Sequence, residues 1–196
     1  MIKARVSNVL IATRKYAEMQ KKNRELSELS EIDQMTGLYN KMTTVNKINQ
    51  QLHEHKNHID AIIVVDMDDF KYINDSEGHL IGDHAIRRVS RILKDNFRKE
   101  DIIGRIGGDE FVVFLNDIPD KEIARRKARD IIRIFKVKKS TVIKGRTTVS
   151  IGLAFTDSEV YDYKELFDRA DKALAEAKKY GKACYHEYGI DGLWHL

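Results

Sequence analysis

Four acids in this chain stand where chemistry is expected of them. Asp66 and Asp68 follow the apolar run Ala61-Ile-Ile-Val-Val65 without a break, within Val64-Val-Asp-Met-Asp-Asp-Phe-Lys71. Asp109 and Glu110 lie between Gly107-Gly108 and a second run, Phe111-Val-Val-Phe-Leu115. A continuous apolar run suits a strand buried on both faces, and ligands of open α/β sheets gather at strand ends. Period two sends Asp66 and Asp68 to the same side if the strand persists. Asp66, the nearer to the core, is then desolvated and needs a cation or hydrogen-bond donors. A hard divalent ion such as Mg²⁺ suits carboxylate and carbonyl oxygens; capping of the following helix suits the same acids.

Gly107-Gly108 reads as a hairpin turn, because both residues can take positive φ. Such a turn explains the glycines but not the acids. Asp109 and Glu110 open the outgoing strand and point to opposite faces. With this hairpin beside the Asp66 strand, Asp109 can join Asp66 around a metal; without a cation the two carboxylates would raise each other's pKa. In isolation such a pair more commonly reads as solvated acids beside a surface turn.

A third cluster runs from Phe70 to Asp83, Phe-Lys-Tyr-Ile-Asn-Asp-Ser-Glu-Gly-His-Leu-Ile-Gly-Asp. The backbone N–H groups around Asp69 to Lys71 open a helical turn, a ready place for phosphate. Asn74 and Asp83 suit a purine edge, the carboxylate accepting from two guanine N–H donors, and each suits a helix cap as well. Lys178 and Lys182 stand four apart at a helix end, where they grip phosphates or simply favour the negative end of the helix.

The elements that must position these residues alternate along the chain. The pattern predicts helices over 36–55, 80–98, a stretch opening near Pro119 and ending near Phe135, and 163–180 with Gly181 as its C-cap. It predicts strands over 61–65, 102–106, 111–115, 146–155 and 183–188. Helices over a mainly antiparallel sheet follow, an α/β (α+β) sandwich. Residues 1–32 differ: Val9, Ala12, Tyr16, Met19, Asn23 and Leu26 recur at alternating spacings of three and four, the seam of a short coiled coil or the buried stripe of one amphipathic helix. Residues 33–189 form the expected main domain, and 190–196 a tail with no reading.

The bounds agree. The chain has 196 residues and is 42% hydrophobic, enough for one domain and an appendage. A formal net charge of +4 with interspersed signs argues against a nucleic-acid partner. One cysteine excludes an intrachain disulfide and suits a reducing, cytoplasmic location. The run Val9-Leu-Ile-Ala12 is too short to span a bilayer, so no membrane segment is expected in this chain, whether or not a longer parent is membrane-anchored.

These pieces, in this order, resemble the GGDEF family of diguanylate cyclases. The signature stands intact as Gly107-Gly108-Asp109-Glu110-Phe111, the opening motif as Asp33-Gln-Met-Thr-Gly-Leu-Tyr-Asn40, and the nucleotide segment as Asp66-Met-Asp-Asp-Phe-Lys-Tyr-Ile-Asn74-Asp75 with Gly78-His79 and Gly82-Asp83. Ala170-Asp171, Ala177-Lys178 and Gly181 complete it. The resemblance implies a nucleotidyl-cyclase, ferredoxin-like palm. It also implies condensation of two GTP into cyclic di-GMP and two pyrophosphates, by attack of one 3′-hydroxyl on the other α-phosphate across a homodimer. By that carry-over, Asp66, the Met67 carbonyl and Asp109 hold Mg²⁺ or Mn²⁺. Asp109, Glu110 and Lys71 are catalytic, the exact part of Glu110 being open. Asn74, Asp83, His79, Asp69, Phe70, Lys178 and Lys182 bind substrate. Arg98-Lys-Glu-Asp101 has the spacing of the family's product-inhibition motif, with Arg129 as a second arginine. Lys182 and Lys41 replace the Arg common in relatives, a point charge in place of a fork. An upstream sensor is implied. The alternative is a non-catalytic receptor for cyclic di-GMP or GTP.

Overall fold

The computed structural model describes Lys15 and residues 30–54, 59–137, 147–157 and 162–190. The expected coiled-coil seam and the tail from 191 lie outside the described residues.

The first helix, α1 (Lys41–Glu54), starts five residues later than the periodicity implies. Asp33 Oδ1 accepts from the Thr36 N–H at 2.9 Å and from its hydroxyl at 2.6 Å, which holds residues 33–38 in a turn. Asn40 Oδ1 then accepts from the Thr43 N–H at 2.8 Å and so caps the helix. Short polar side chains that compete for backbone donors shift helix boundaries in this way.

The strands are β1 (Ala61–Met67), β2 (Ile102–Arg105), β3 (Glu110–Leu115), β4 (Val149–Phe155) and β5 (Tyr185–Glu187). The remaining helices are α2 (Phe70–Glu77), α3 (His79–Asn96), α4 (Lys121–Val137) and α5 (Tyr163–Lys179). Pro119 stands outside α4 and not in its first turn; Asp120 caps it, its Oδ1 accepting from the Glu122 N–H at 2.9 Å. Gly181, at φ +111, follows the C-cap Tyr180 of α5 as expected.

One sheet of order β2-β3-β1-β4-β5 results. Its pairs are antiparallel except the edge pair β4–β5. β1 lies at the centre and is buried throughout. Period two splits it: Ile63, Val65 and Met67 join the larger core under α3 and α4, while Ile62 and Val64 join the smaller core under α1 and α5. Each such side chain contributes roughly 1.5–3 kcal/mol on full burial. Gly152 lets α5 lie tightly on β4, since a Cβ there would come within 2.0 Å of the Ala170 carbonyl oxygen. Among the described residues no helix is long and apolar enough to cross a membrane.

Candidate functional site

The end of β1 is where the predicted acids meet. Asp66 is the register partner of Glu110 in the β1–β3 pair. Directly paired residues of an antiparallel ladder present their side chains on one face. Here that is the face of Ile62, Val64, Val112 and Phe114, so the two carboxylates extend an apolar row past the edge of the core. Asp109 lies one step further, its carbonyl accepting from the Met67 N–H at 3.3 Å. The hairpin is thus beside the Asp66 strand, and Asp66, Met67, Asp109 and Glu110 share one sheet end.

Asp66 is 7% exposed. Burial pushes its carboxyl up to about 6; Lys178 opposes that rise, and the charges of Asp109 and Glu110 add to it. Lys178 Nζ stands 2.8 Å from Asp66 Oδ1, delivered by the last turn of α5. Next along the chain the acids part company. Asp68, 4% exposed, is occupied by donors from Thr148 Oγ1 at 2.7 Å, Ser150 Oγ at 2.6 Å and the Ala183 N–H at 3.1 Å. It therefore ties β1 to β4 and to the turn after α5. Asp69 adopts the left-handed conformation at φ 56 before α2 and makes no side-chain cap. Its Oδ1 accepts from Lys182 Nζ at 2.6 Å, and this bond raises the lysine's pKa. The helix-cap reading of these acids is therefore not what the structure shows.

The signature turn differs from its expected form. Neither Gly107 nor Gly108 takes a positive φ. The loop closes instead through N–H donors of Ile106 and Gly107 to the Glu110 carbonyl, at 3.0 and 3.4 Å. A Cβ at position 107 would sit 2.8 Å from Glu110 Oε2, so a larger residue there would turn that carboxylate aside. Beyond Gly108 lies open space within 4 Å.

Arg105, which the sequence patterns did not single out, organises this loop. Its Nη2 donates to the Gly108 carbonyl at 2.7 Å and its Nε to that of Gly107 at 3.1 Å. Its Nη1 lies 3.3 Å from Asp33. Burial alone would raise the Asp33 carboxyl, but Thr36 and Arg105 together hold it below its ordinary value. The opening motif and the signature turn are thus fastened to each other. The signal was present only as an arginine two residues before the glycines, with nothing periodic to mark it.

The purine-reading candidates converge at the α2–α3 junction. A Cβ on Gly82 would come within 2.0 Å of Asn74 Oδ1 and 3.3 Å of the Phe70 ring, so this glycine admits both side chains beside Asp83. Asp83 is 3.9 Å from Arg87. Lys71 and His79 are exposed on the same two helices. Arg98 and Asp101 also meet: the Arg98 N–H donates to Asp101 Oδ2 at 2.7 Å, and burial raises the Asp101 carboxyl against the pull of the Arg98 amide. They edge a cleft of about 560 Å³ that includes Tyr39, Lys94 and Lys99. Arg129 is elsewhere, ion-paired with Glu122 and 3.4 Å from the Tyr185 hydroxyl; Lys127 is the α4 cation whose charge reaches Asp101.

The donor set at the β1 end fits a hard divalent cation. It consists of carboxylate and carbonyl oxygens around a buried acid crowded by two others. Among the described residues no three His, Cys, Asp or Glu side chains close on one point. The protein thus offers part of an oxygen shell, as suits an ion that keeps waters and takes substrate phosphates.

Comparison with known proteins bears on the family and the fold. The family model "Diguanylate cyclase, GGDEF domain" matches residues 30–184. "Probable diguanylate cyclase DgcT" of Escherichia coli is 31% identical over 153 residues, 76% of this chain and 34% of that protein. The chain spans between 24% and 43% of the length of several such curated relatives. Among solved structures, the GGDEF domain of TpbB (YfiN) from Pseudomonas aeruginosa superposes with a TM-score of 0.75 at 27% identity, covering 80% of this chain and 94% of that one. The GGDEF domain of DgcB from Caulobacter crescentus in complex with c-di-GMP shares the fold, with a TM-score of 0.74 at 23% identity over 82% and 94% of the two chains.

Proposed function

The chain belongs to the GGDEF family, and from that premise we propose that it is a diguanylate cyclase, joining two GTP into cyclic di-GMP with release of two pyrophosphates. The observation that carries this reading is the convergence of Asp66, Asp109 and Glu110 at one sheet end, with Lys178 and Lys182 on its rim. A structural domain or a pure binding module has no use for so costly a grouping of acids.

In the reaction the 3′-oxygen of each GTP bonds in turn to the α-phosphorus of the other, once to join the two and once to close the ring. The bond from that phosphorus to the β-phosphate bridge breaks, and pyrophosphate leaves with the electron pair. The hydroxyl proton passes to a carboxylate or to solvent; Glu110, opposite Asp66, is the further carboxylate on that face. Asp66, the Met67 carbonyl and Asp109 would hold Mg²⁺ or Mn²⁺, which would neutralise phosphate charge and acidify the hydroxyl. Lys71, Lys178, Lys182 and the backbone at Asp69 and Phe70 hold phosphates. Asn74 and Asp83 read guanine; adenine N1 is an acceptor, and faces the Asp83 carboxylate without a proton to share. His79 lines the same junction. Each copy holds one GTP, so the complete reaction takes two copies facing each other, brought together by residues 1–32 under an upstream sensor in the cytoplasm. Arg98 and Asp101 form the product-inhibition site; Arg129, paired with Glu122 away from their cleft, is left out of it.

The test is incubation of the full chain with GTP and Mg²⁺, then chromatography for cyclic di-GMP, with ATP as the comparison. GTP alone should give the cyclic dinucleotide. Asp66→Ala and Asp109→Ala should each lower the rate at least a hundredfold, and a retained rate in either refutes the assigned roles. Arg98→Ala should keep the basal rate and lose inhibition by product. An inactive wild type that binds cyclic di-GMP only while Arg98 is present would instead establish the receptor.

A further inference from the structure

Lys178 reaches Asp66 from the end of α5, its Nζ 2.8 Å from Oδ1. The two partners differ in freedom. The Asp66 side chain is 9% exposed and fixed in the sheet, whereas Lys178 is 40% exposed on a flexible four-carbon arm. The other charges that reach Asp66 are the acids Asp109 and Glu110 and the Lys182 ammonium, which itself sits on Asp69. Lys178 is thus the ammonium in direct contact with the most buried carboxylate of the group.

We infer that Lys178 makes loading of the divalent cation conditional on the nucleotide's phosphates, a specificity role beyond gripping phosphate; this rests on the cyclase reading above. A divalent cation on Asp66 and an ammonium at 2.8 Å from the same carboxylate are like charges a few ångströms apart. Each weakens the other's hold on the acid. Phosphate oxygens are a competing anion for Lys178. Once they draw the ammonium off, Asp66 opens to the cation, and by linkage a bound cation strengthens phosphate binding by the same factor. Lys182 repeats the arrangement on Asp69, but both of its partners are solvated, at 42% and 62% exposure, where ion pairs count for little. The coupling therefore resides in the pair whose acid is buried.

The experiment measures Mn²⁺ binding to the full chain by electron paramagnetic resonance, first with Mn²⁺ alone and then with a non-hydrolysable GTP analogue. Wild type should bind Mn²⁺ alone weakly and gain affinity with the analogue. Lys178→Met should bind Mn²⁺ alone at least tenfold more tightly than wild type and gain less from the analogue. Mn²⁺ alone should also raise its melting temperature more than that of wild type, a readout independent of turnover. Lys178→Arg keeps a cation and should stay near wild type, as should Lys179→Met, whose lysine pairs with Glu176 at the surface. Unchanged or weaker Mn²⁺ binding in Lys178→Met overturns the inference, as does an equal gain in Lys178→Arg. Asp66→Ala separates the two levels: if it binds Mn²⁺ with the analogue as well as wild type does, the cyclase reading falls and the inference with it.

Discussion

Asp66→Asn replaces a crowded carboxylate by a neutral amide of the same size, so it should stabilise the fold as it removes activity, and do so only where the acid is ionised. Burial pushes the native carboxyl up to about 6, from an ordinary value near 3.8. The folded state holds this proton more tightly than the unfolded state does, so the charged form costs stability, and the cost grows as pH rises from about 4 to about 6. At ~1.4 kcal/mol per pKa unit, the full cost above pH ~7 is about 3 kcal/mol, and at pH ~4.5 only ~1 kcal/mol has developed. For a domain of this size 1 kcal/mol moves the melting temperature by roughly 2–4 °C. Asp66→Asn should therefore melt about 6–12 °C above wild type near pH 8 and about 2–4 °C above it near pH 4.5, read by calorimetry without divalent ions. Mg²⁺ added together with a non-hydrolysable GTP analogue should narrow the gap at pH 8, because only wild type keeps the ligand. An increment that is the same at both pH values, or a loss of stability at pH 8, refutes the placement of Asp66 as a desolvated acid among acids.

Three further substitutions probe the neighbouring parts. Gly82→Ala puts a methyl where Asn74 Oδ1 sits, 2.0 Å away; KM for GTP should rise about five- to tenfold for one lost hydrogen bond, while the melting temperature holds or rises, since Ala favours the helix by up to ~1 kcal/mol over Gly. Asp68→Ala orphans donors from Thr148, Ser150 and Ala183 and should cost on the order of 3 kcal/mol in a denaturant titration, far more than an exposed acid. Arg105→Ala releases the carbonyls of Gly107 and Gly108 together with Asp33; steady-state kinetics should show kcat down about tenfold with KM little changed, and Arg105→Lys recovering only part, because a point charge cannot span three acceptors.

The parts of this site that were legible in the sequence are those with local causes. Ala61–Val65 announces a central strand because only a two-sided burial tolerates five apolar residues in a row, and Gly181 ends α5 because the chain there needs a left-handed step. The acids after β1 were visible as types, but their division of labour was not: Asp66, Asp68 and Asp69 are nearly adjacent, yet one meets Lys178, one Thr148 and Ser150, and one Lys182. Those partners come from 80 to more than 110 residues away, and no spacing rule reaches them. The glycines of the signature were legible as a bend, but how it closes, on the Glu110 carbonyl and without a left-handed φ, needed the paired strands in place. Local propensity and burial pattern, properties of short stretches, thus set by themselves which elements form and which residue types stand at their ends. Which acid is desolvated, which is tied to a neighbouring strand, and that Arg105 clamps the turn follow from strand order and register, which bring together groups whose interaction energy does not exist until the sheet has closed.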